Sequence, residues 1–269
     1  AVKNSRRILV STWETYKNTF VKEDGNTVDP ANNLTTSEGQ SYTMLRAVWM
    51  NDKQLFDKTW GFTKRNMQQE NNLIAWKWGK KPDGTMGVID KSSAADGDED
   101  IALALAFAGK RWNNPGYIID ARTIMQAIWD REVKVIRNKP YLVAGDWAKS
   151  KSYAVINPSY LAPSSYRIFA EIDKTHDWMD HSDKGAEIIR WILWTLLMKY
   201  STHVQIVTLI KKHLPVSHRI GVQSIVVEES SNLLKLVLIQ PNMVMTHSVH
   251  LGELRLIING LKIHEQRHT

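Results

Sequence analysis

The sequence contains no cysteine in 269 residues, which excludes disulfides, thiolate metal ligands and cysteine nucleophiles together. It has no uninterrupted apolar run near the roughly 20 residues a membrane-spanning helix needs, so no membrane partner is expected. No basic-then-apolar leader opens it, and any signal peptide is expected to have been removed already. Charge of one sign is not strongly missing: 35 Lys and Arg stand against 28 Asp and Glu, a net charge of +7. Up to residue 194 the basic excess is only three (27 against 24), and in residues 195–269 it is four (8 against 4). No basic stripe alternates with aromatics, so no nucleic-acid partner is expected.

Other absences divide the chain. No Phe follows Phe169, no Asp follows Asp183 and no Trp follows Trp194, whereas seven of the nine histidines fall in the last 75 residues. The expected organisation is a well-patterned region over 1–194 and a divergent part of the same domain over 195–269, with an altered or substituted C-terminus.

What is abundant is tryptophan, eleven residues. Flat aromatic faces suit a core, and they also suit the apolar faces of pyranose rings. Before the seam the apolar periodicity is helical. Tyr42, Leu45, Val48 and Trp49 are expected on one face of a helix, and Phe56, Trp60 and Met67 on a second. Ile101, Leu105, Ala108 and Trp112 mark a third, and Ile118, Ala121, Met125 and Ile128 a fourth. "PSSYRIFAEI" and "KGAEIIRWILWTLLMKY" give two more, while "MGVID" and "YLVAG" read as short strands in loops. Turn sequences "PDGT", "NNPG" and "NKP" separate these elements. The expected fold is all-α, built of antiparallel helical hairpins.

Two helix starts carry carboxylates. Ser37-Glu38-Gly39-Gln40 has the form of a capping box, with Ser37 as N-cap and Gln40 reaching back. Asp96 and Glu99 in "ADGDED" repeat the arrangement. The adjacent glycines allow another group to approach the backbone closely. If both starts lie at one end of a helical bundle, their carboxylates converge in a cleft, and two carboxylates beside aromatics are the components of glycoside hydrolysis. The Asp96, Asp98, Asp100 spacing imitates a calcium loop, but Ile101 and Phe107 occupy its diagnostic Gly and Glu positions. "HEQRH" at residues 264–268 fits H-E-x-x-H but leaves no third ligand downstream. No metal and no cofactor are expected.

The segments "TTSEGQSYTMLRAV", "AADGDEDIALALAFAGKRW" and "INPSYLAPSSYRIFAEID" resemble glycoside hydrolase family 8, the bacterial endo-β-1,4-glucanases and their relatives, over about residues 10–194. The second segment departs from the family signature at Ala95, where Ser or Thr is usual. The resemblance implies an (α/α)6-type barrel, an inverting mechanism and an extracellular or periplasmic site of action on β-1,4-linked polysaccharide. Carried over by position, Glu38 resembles the general acid and Asp96 the residue that holds the distorted sugar. Trp76 and Trp147 resemble sugar-stacking platforms, and Tyr160 a cleft residue. The usual Tyr-Asp-Ala-x-Arg motif bearing the base is missing from the tail, and the chain is shorter than a complete six-hairpin barrel normally needs, so the barrel is expected to be incomplete or altered at its C-terminus. The base is therefore unassigned; Asp173, Asp177, Asp180, Asp183, Glu228 and Glu229 remain as candidates by elimination. The alternative to a cellulase is a non-hydrolytic or inactive carbohydrate-binding barrel fragment. Glucan is the expected substrate, because aromatic platforms dominate and no extra acidic cluster is evident in the sequence.

Overall fold

The computed structural model describes residues 2–136, 138–150, 153–180, 224–230, 233–240 and 243–250. Its elements are α1 (Val2–Phe20), β1 (Thr35–Thr36), α2 (Ser37–Met50), α3 (Lys53–Asn66), β2 (Lys77–Lys80), β3 (Met86–Asp90), α4 (Ala95–Arg111), α5 (Pro115–Glu132), β4 (Val133–Ile136), β5 (Lys139–Leu142), β6 (Tyr153–Ile156), a 3-10 turn (Pro158–Tyr160), α6 (Pro163–Ile172), β7 (Ser224–Ser230), β8 (Leu233–Gln240) and β9 (Met243–His250).

The helices form the expected hairpin layer. Asn51, left-handed at φ 60°, closes α2, and Asp52 caps α3 by accepting the Leu55 N–H. The other Asp52 oxygen accepts Trp13 Nε1 at 3.2 Å and Lys17 Nζ at 3.4 Å, tying α1 to the α2–α3 corner. Asn114 and Pro115 start α5, the first by side-chain capping and the second by its preset φ.

The central element is α4. Its alanines 102, 104, 106 and 108 are buried with Ile101 and Leu105, and side chains that small let α2 and α5 approach on either side. Phe56, Tyr117 and Trp112 form an edge-to-face cluster at one end. Tyr166 and Phe169 of α6 form a second aromatic cluster with Trp178, which meets Phe169 edge-on and stacks on Tyr166.

The strands are short and antiparallel. β1-β2-β3 make one sheet, β4-β5 a hairpin, and β6-β7-β8-β9 a four-stranded sheet. "MGVID" is β3, and "YLVAG" begins in β5. No strand was expected in the tail, where β7 to β9 pair in register. "KGAEIIRWILWTLLMKY" lies outside the described residues, as do the H-E-x-x-H residues.

One helix face differs from expectation. Leu45 and Val48 are buried with Met44 and Ala47, but Tyr42 and Trp49 are 44% and 61% exposed. The buried stripe is set by the neighbours α1, α3 and α4, and Tyr42 and Trp49 fall outside it.

Candidate active site

Both capping boxes are replaced by other contacts. Thr36, not Ser37, caps α2, its Oγ1 accepting the Gly39 N–H at 3.0 Å. Gln40 is then one residue too late to reach back. Its buried amide instead accepts the Thr27 N–H at 2.6 Å and donates to Thr63 Oγ1 at 2.8 Å. At α4 the N-cap is Ala94, which has no side-chain cap bond. Asp98 lies buried and accepts the Ile74 N–H at 2.8 Å, and Glu99 is buried at the floor of the cleft described below.

These shifts leave Glu38 and Asp96 each at the second position of a helix, and the two helix starts touch. A Cβ on Gly97 would stand 2.3 Å from Ser37 Oγ and 3.2 Å from the Glu38 nitrogen, so glycine is what permits the contact. The Ser37 N–H donates to the Trp76 carbonyl at 3.1 Å, and the Trp76 N–H to the Ser92 carbonyl at 2.9 Å. The strand-like link at 74–76 is thereby fastened to both starts.

A cleft of about 320 Å³ opens over this junction. Glu38 and Tyr42 line it from α2, and Asp96, Glu99 and Asp100 from α4. Ser159, Tyr160 and Ala162 close it from the 3-10 turn and the residues after it. Thus Glu38, Asp96 and Tyr160 come together as expected. Trp76 and Trp147 are not among the lining side chains. Trp76 hydrogen-bonds through its ring to Asp90, and Trp147 stands 54% exposed with its indole N–H on the Ser93 carbonyl at 3.2 Å.

Tyr42, Glu99 and Asp100 are residues that sequence reasoning did not place in the site. Their signal was present: Tyr42 is four residues after Glu38 and Asp100 four after Asp96, the spacing of side chains on one helical face. The two added α4 carboxyls also correct the expectation that no extra acidic cluster exists.

None of the lining side chains is basic. Burial, followed by the Glu38 charge, holds Asp96 up to about 6 and Asp100 up to about 6. Burial also pushes Glu99 well above the usual carboxylate range. Tyr160 is raised by burial and by the charges of Asp96 and Glu38. The Tyr42 phenol donates to Glu38 Oε1 at 2.5 Å.

Beneath the cleft, Glu132 accepts the Ser93 hydroxyl at 2.5 Å, and Ser93 Oγ in turn accepts the Asp146 N–H. Glu132 and Asp98 are fully buried neighbours. Burial raises Glu132 to about 8, and burial with the Glu132 charge raises Asp98 well above its ordinary value.

Among the described residues, no base candidate lines this cleft. Burial alone would raise Asp173, but Thr175, His176 and Trp178 donate to it and hold it down to about 2. Its oxygens are committed to closing the turn after α6. Asp177 caps the Asp180 N–H. Asp183 lies outside the described residues, and Glu228 and Glu229 lie on β7.

A family model described as "Glycosyl hydrolases family 8" matches residues 1–193. The chain belongs to glycosyl hydrolase family 8. The endoglucanase of Pseudomonas fluorescens (strain SBW25) is 36% identical over 186 residues, covering 66% of this chain and 46% of that protein. The endoglucanase of Xanthomonas axonopodis pv. citri (strain 306) is 32% identical over 199 residues, covering 68% and 52%. The solved endoglucanase Cel10 of Klebsiella pneumoniae, a family 8 glycosyl hydrolase, superposes with a TM-score of 0.61 at 32% identity, covering 65% of this chain and 57% of that one. This family 8 chain spans about half the length of the curated relatives it matches. The family match stops at residue 193, beside the compositional change after Trp194.

Proposed function

We propose that this family 8 chain carries the acid side of an endo-β-1,4-glucanase site, cleaving internal bonds of cellulose-type glucans with inversion. The observation that supports it most is the single cleft holding Glu38, Asp96 and Tyr160. Glu38 is the general acid, giving its proton to the departing glycosidic oxygen. Asp96 accepts hydroxyl hydrogen bonds from the sugar at the cleaved bond and stabilises its distorted ring, a role that needs the carboxylate and so strengthens above pH 6. Tyr160 lines the opposite wall, while Trp76 and Trp147 supply stacking surfaces further along the chain of sugars. Inversion requires a second carboxylate that activates water from the other face of the ring. Among the described residues none of the base candidates lines this cleft, and impaired turnover is part of the proposal. With a polymeric substrate, the proposed site of action is extracellular or periplasmic.

Reducing-sugar release from carboxymethyl-cellulose is the test. Glu38→Gln is expected to lower it by about 10²- to 10⁴-fold, the usual contribution of general acid–base catalysis. Release that is unchanged by the substitution removes Glu38 from the role. Parallel assays on lichenan, xylan and chitosan check the choice of glucan against the acidic lining.

The cleft's lining, which among the described residues holds none of the base candidates, favours a second reading, carbohydrate binding without hydrolysis. Calorimetric binding of cello-oligosaccharide with no reducing-sugar release selects that reading.

A further inference from the structure

Glu38 faces Asp96 and Asp100 from α4, Glu99 beneath them, and the Tyr160 phenol across the cleft. Like charges crowded together disfavour the ionised form of a carboxyl, and a donor on one of its oxygens favours it. The donor in this cleft is Tyr42. It stands one helical turn after Glu38 on α2, where i and i+4 side chains lie one above the other. Its Oη is 2.5 Å from Glu38 Oε1, at the short end of the range for a hydroxyl donating to an ionised oxygen. The Tyr42 side chain is 44% exposed, so core packing does not account for its placement.

We propose that Tyr42 is the positioning residue of the acid: its phenol holds Oε1 of Glu38 and leaves Oε2 to carry the proton that is transferred. This rests on Glu38 being the general acid. A carboxyl that receives a donor on one oxygen binds its own proton on the other, and rotation that would exchange the two costs the phenol bond. In the reaction the Oε2–H bond breaks as the proton passes to the glycosidic oxygen. The bond from that oxygen to the anomeric carbon breaks with its electron pair going to the oxygen. Water supplies the replacing hydroxyl, and the proton it gives up passes to solvent. The charge left on Glu38 is shared with Oε1, which is already hydrogen-bonded. Burial, the bond to Glu38 and the charges of Glu38, Asp100 and Asp96 all raise the Tyr42 phenol above its ordinary value, so it remains a donor wherever the carboxyls titrate.

Tyr42→Phe keeps the ring and removes only the hydroxyl. With cello-oligosaccharide as substrate, kcat is expected to fall about tenfold, the effect of one lost transition-state hydrogen bond, with KM nearly unchanged. A dinitrophenyl β-cello-oligoside, whose leaving group needs no proton, is expected to turn over at nearly the wild-type rate. Equal losses on the two substrates, or a rise in KM alone, overturn the proposal. A second measurement follows the ¹³C signals of the tyrosine rings in the full chain as pH rises. Glu38→Gln is expected to bring the Tyr42 titration down toward the ordinary phenol value, and an unmoved titration overturns the contact. Should the chain hydrolyse neither substrate, the glucanase reading fails, while this titration still decides whether Tyr42 holds Glu38.

Discussion

At the scale of single residues, Gly97 and Ser37 set the distance between the two carboxylates. Gly97→Ala would place a methyl 2.3 Å from Ser37 Oγ and push α4 away from α2. A loss of about 1–3 kcal/mol is expected, as for overpacked interiors generally, and chemical denaturation measures it. Glu38 and Asp96 were legible because family motifs quote them as short fixed strings. Tyr42 and Asp100 were less so, since a side chain one helical turn away is noticed only after the helix start is fixed. The start itself was misplaced by one residue: Ser37 and Thr36 are both good caps, and the choice is made by Gln40, whose amide is taken by Thr27 and Thr63.

At the scale of elements, α4 brings two kinds of carboxyl to one end. Asp96 and Asp100 line the cleft with the buried Glu99, whereas Asp98 is buried and is not among the lining residues. Charge pattern alone could not separate them, because Asp, Gly, Asp, Glu and Asp in succession read as a solvated start favoured by the helix dipole. The buried half has a measurable consequence. Glu132 titrates near 8 in the folded chain against 4.5 for a free side chain, so its contribution to stability is whole below pH 4.5 and is lost as pH rises through 8. Glu132→Gln retains an oxygen for the Ser93 hydroxyl and has no charge to bury. The stability lost between pH 5 and pH 8 is expected to shrink in this variant, read from denaturation at each pH.

For the whole molecule, opposing shifts locate the pH of greatest stability. Asp96 and Asp100, near 6 when folded against 3.8 free, lose stabilisation as pH rises from about 4 through 6. Asp173, near 2 when folded against 3.8 free, contributes above 3.8 and loses that contribution as pH falls through 2. Thermal melts are therefore expected to peak between about pH 3 and 4, and a peak above pH 7 contradicts these assignments. The helical hairpin layer was legible in the sequence because a 3.6-residue stripe reports directly on burial. The pairing of β6 with β7 was not, since contacts between segments so far apart in sequence leave no local periodicity.

Gln40 joins segments that are far apart along the chain: Thr27 in the loop after α1, its own helix start beside Glu38, and Thr63 on α3. Opening the cleft at Glu38 without releasing Thr27 would leave a buried amide unpaired, a costly state. The loop and the Glu38-bearing helix start are therefore expected to open as one cooperative unit. In native-state hydrogen exchange, the Thr27 amide should be protected nearly to the level of global unfolding, making a residue that touches no substrate a reporter of how often the acid's seat comes apart.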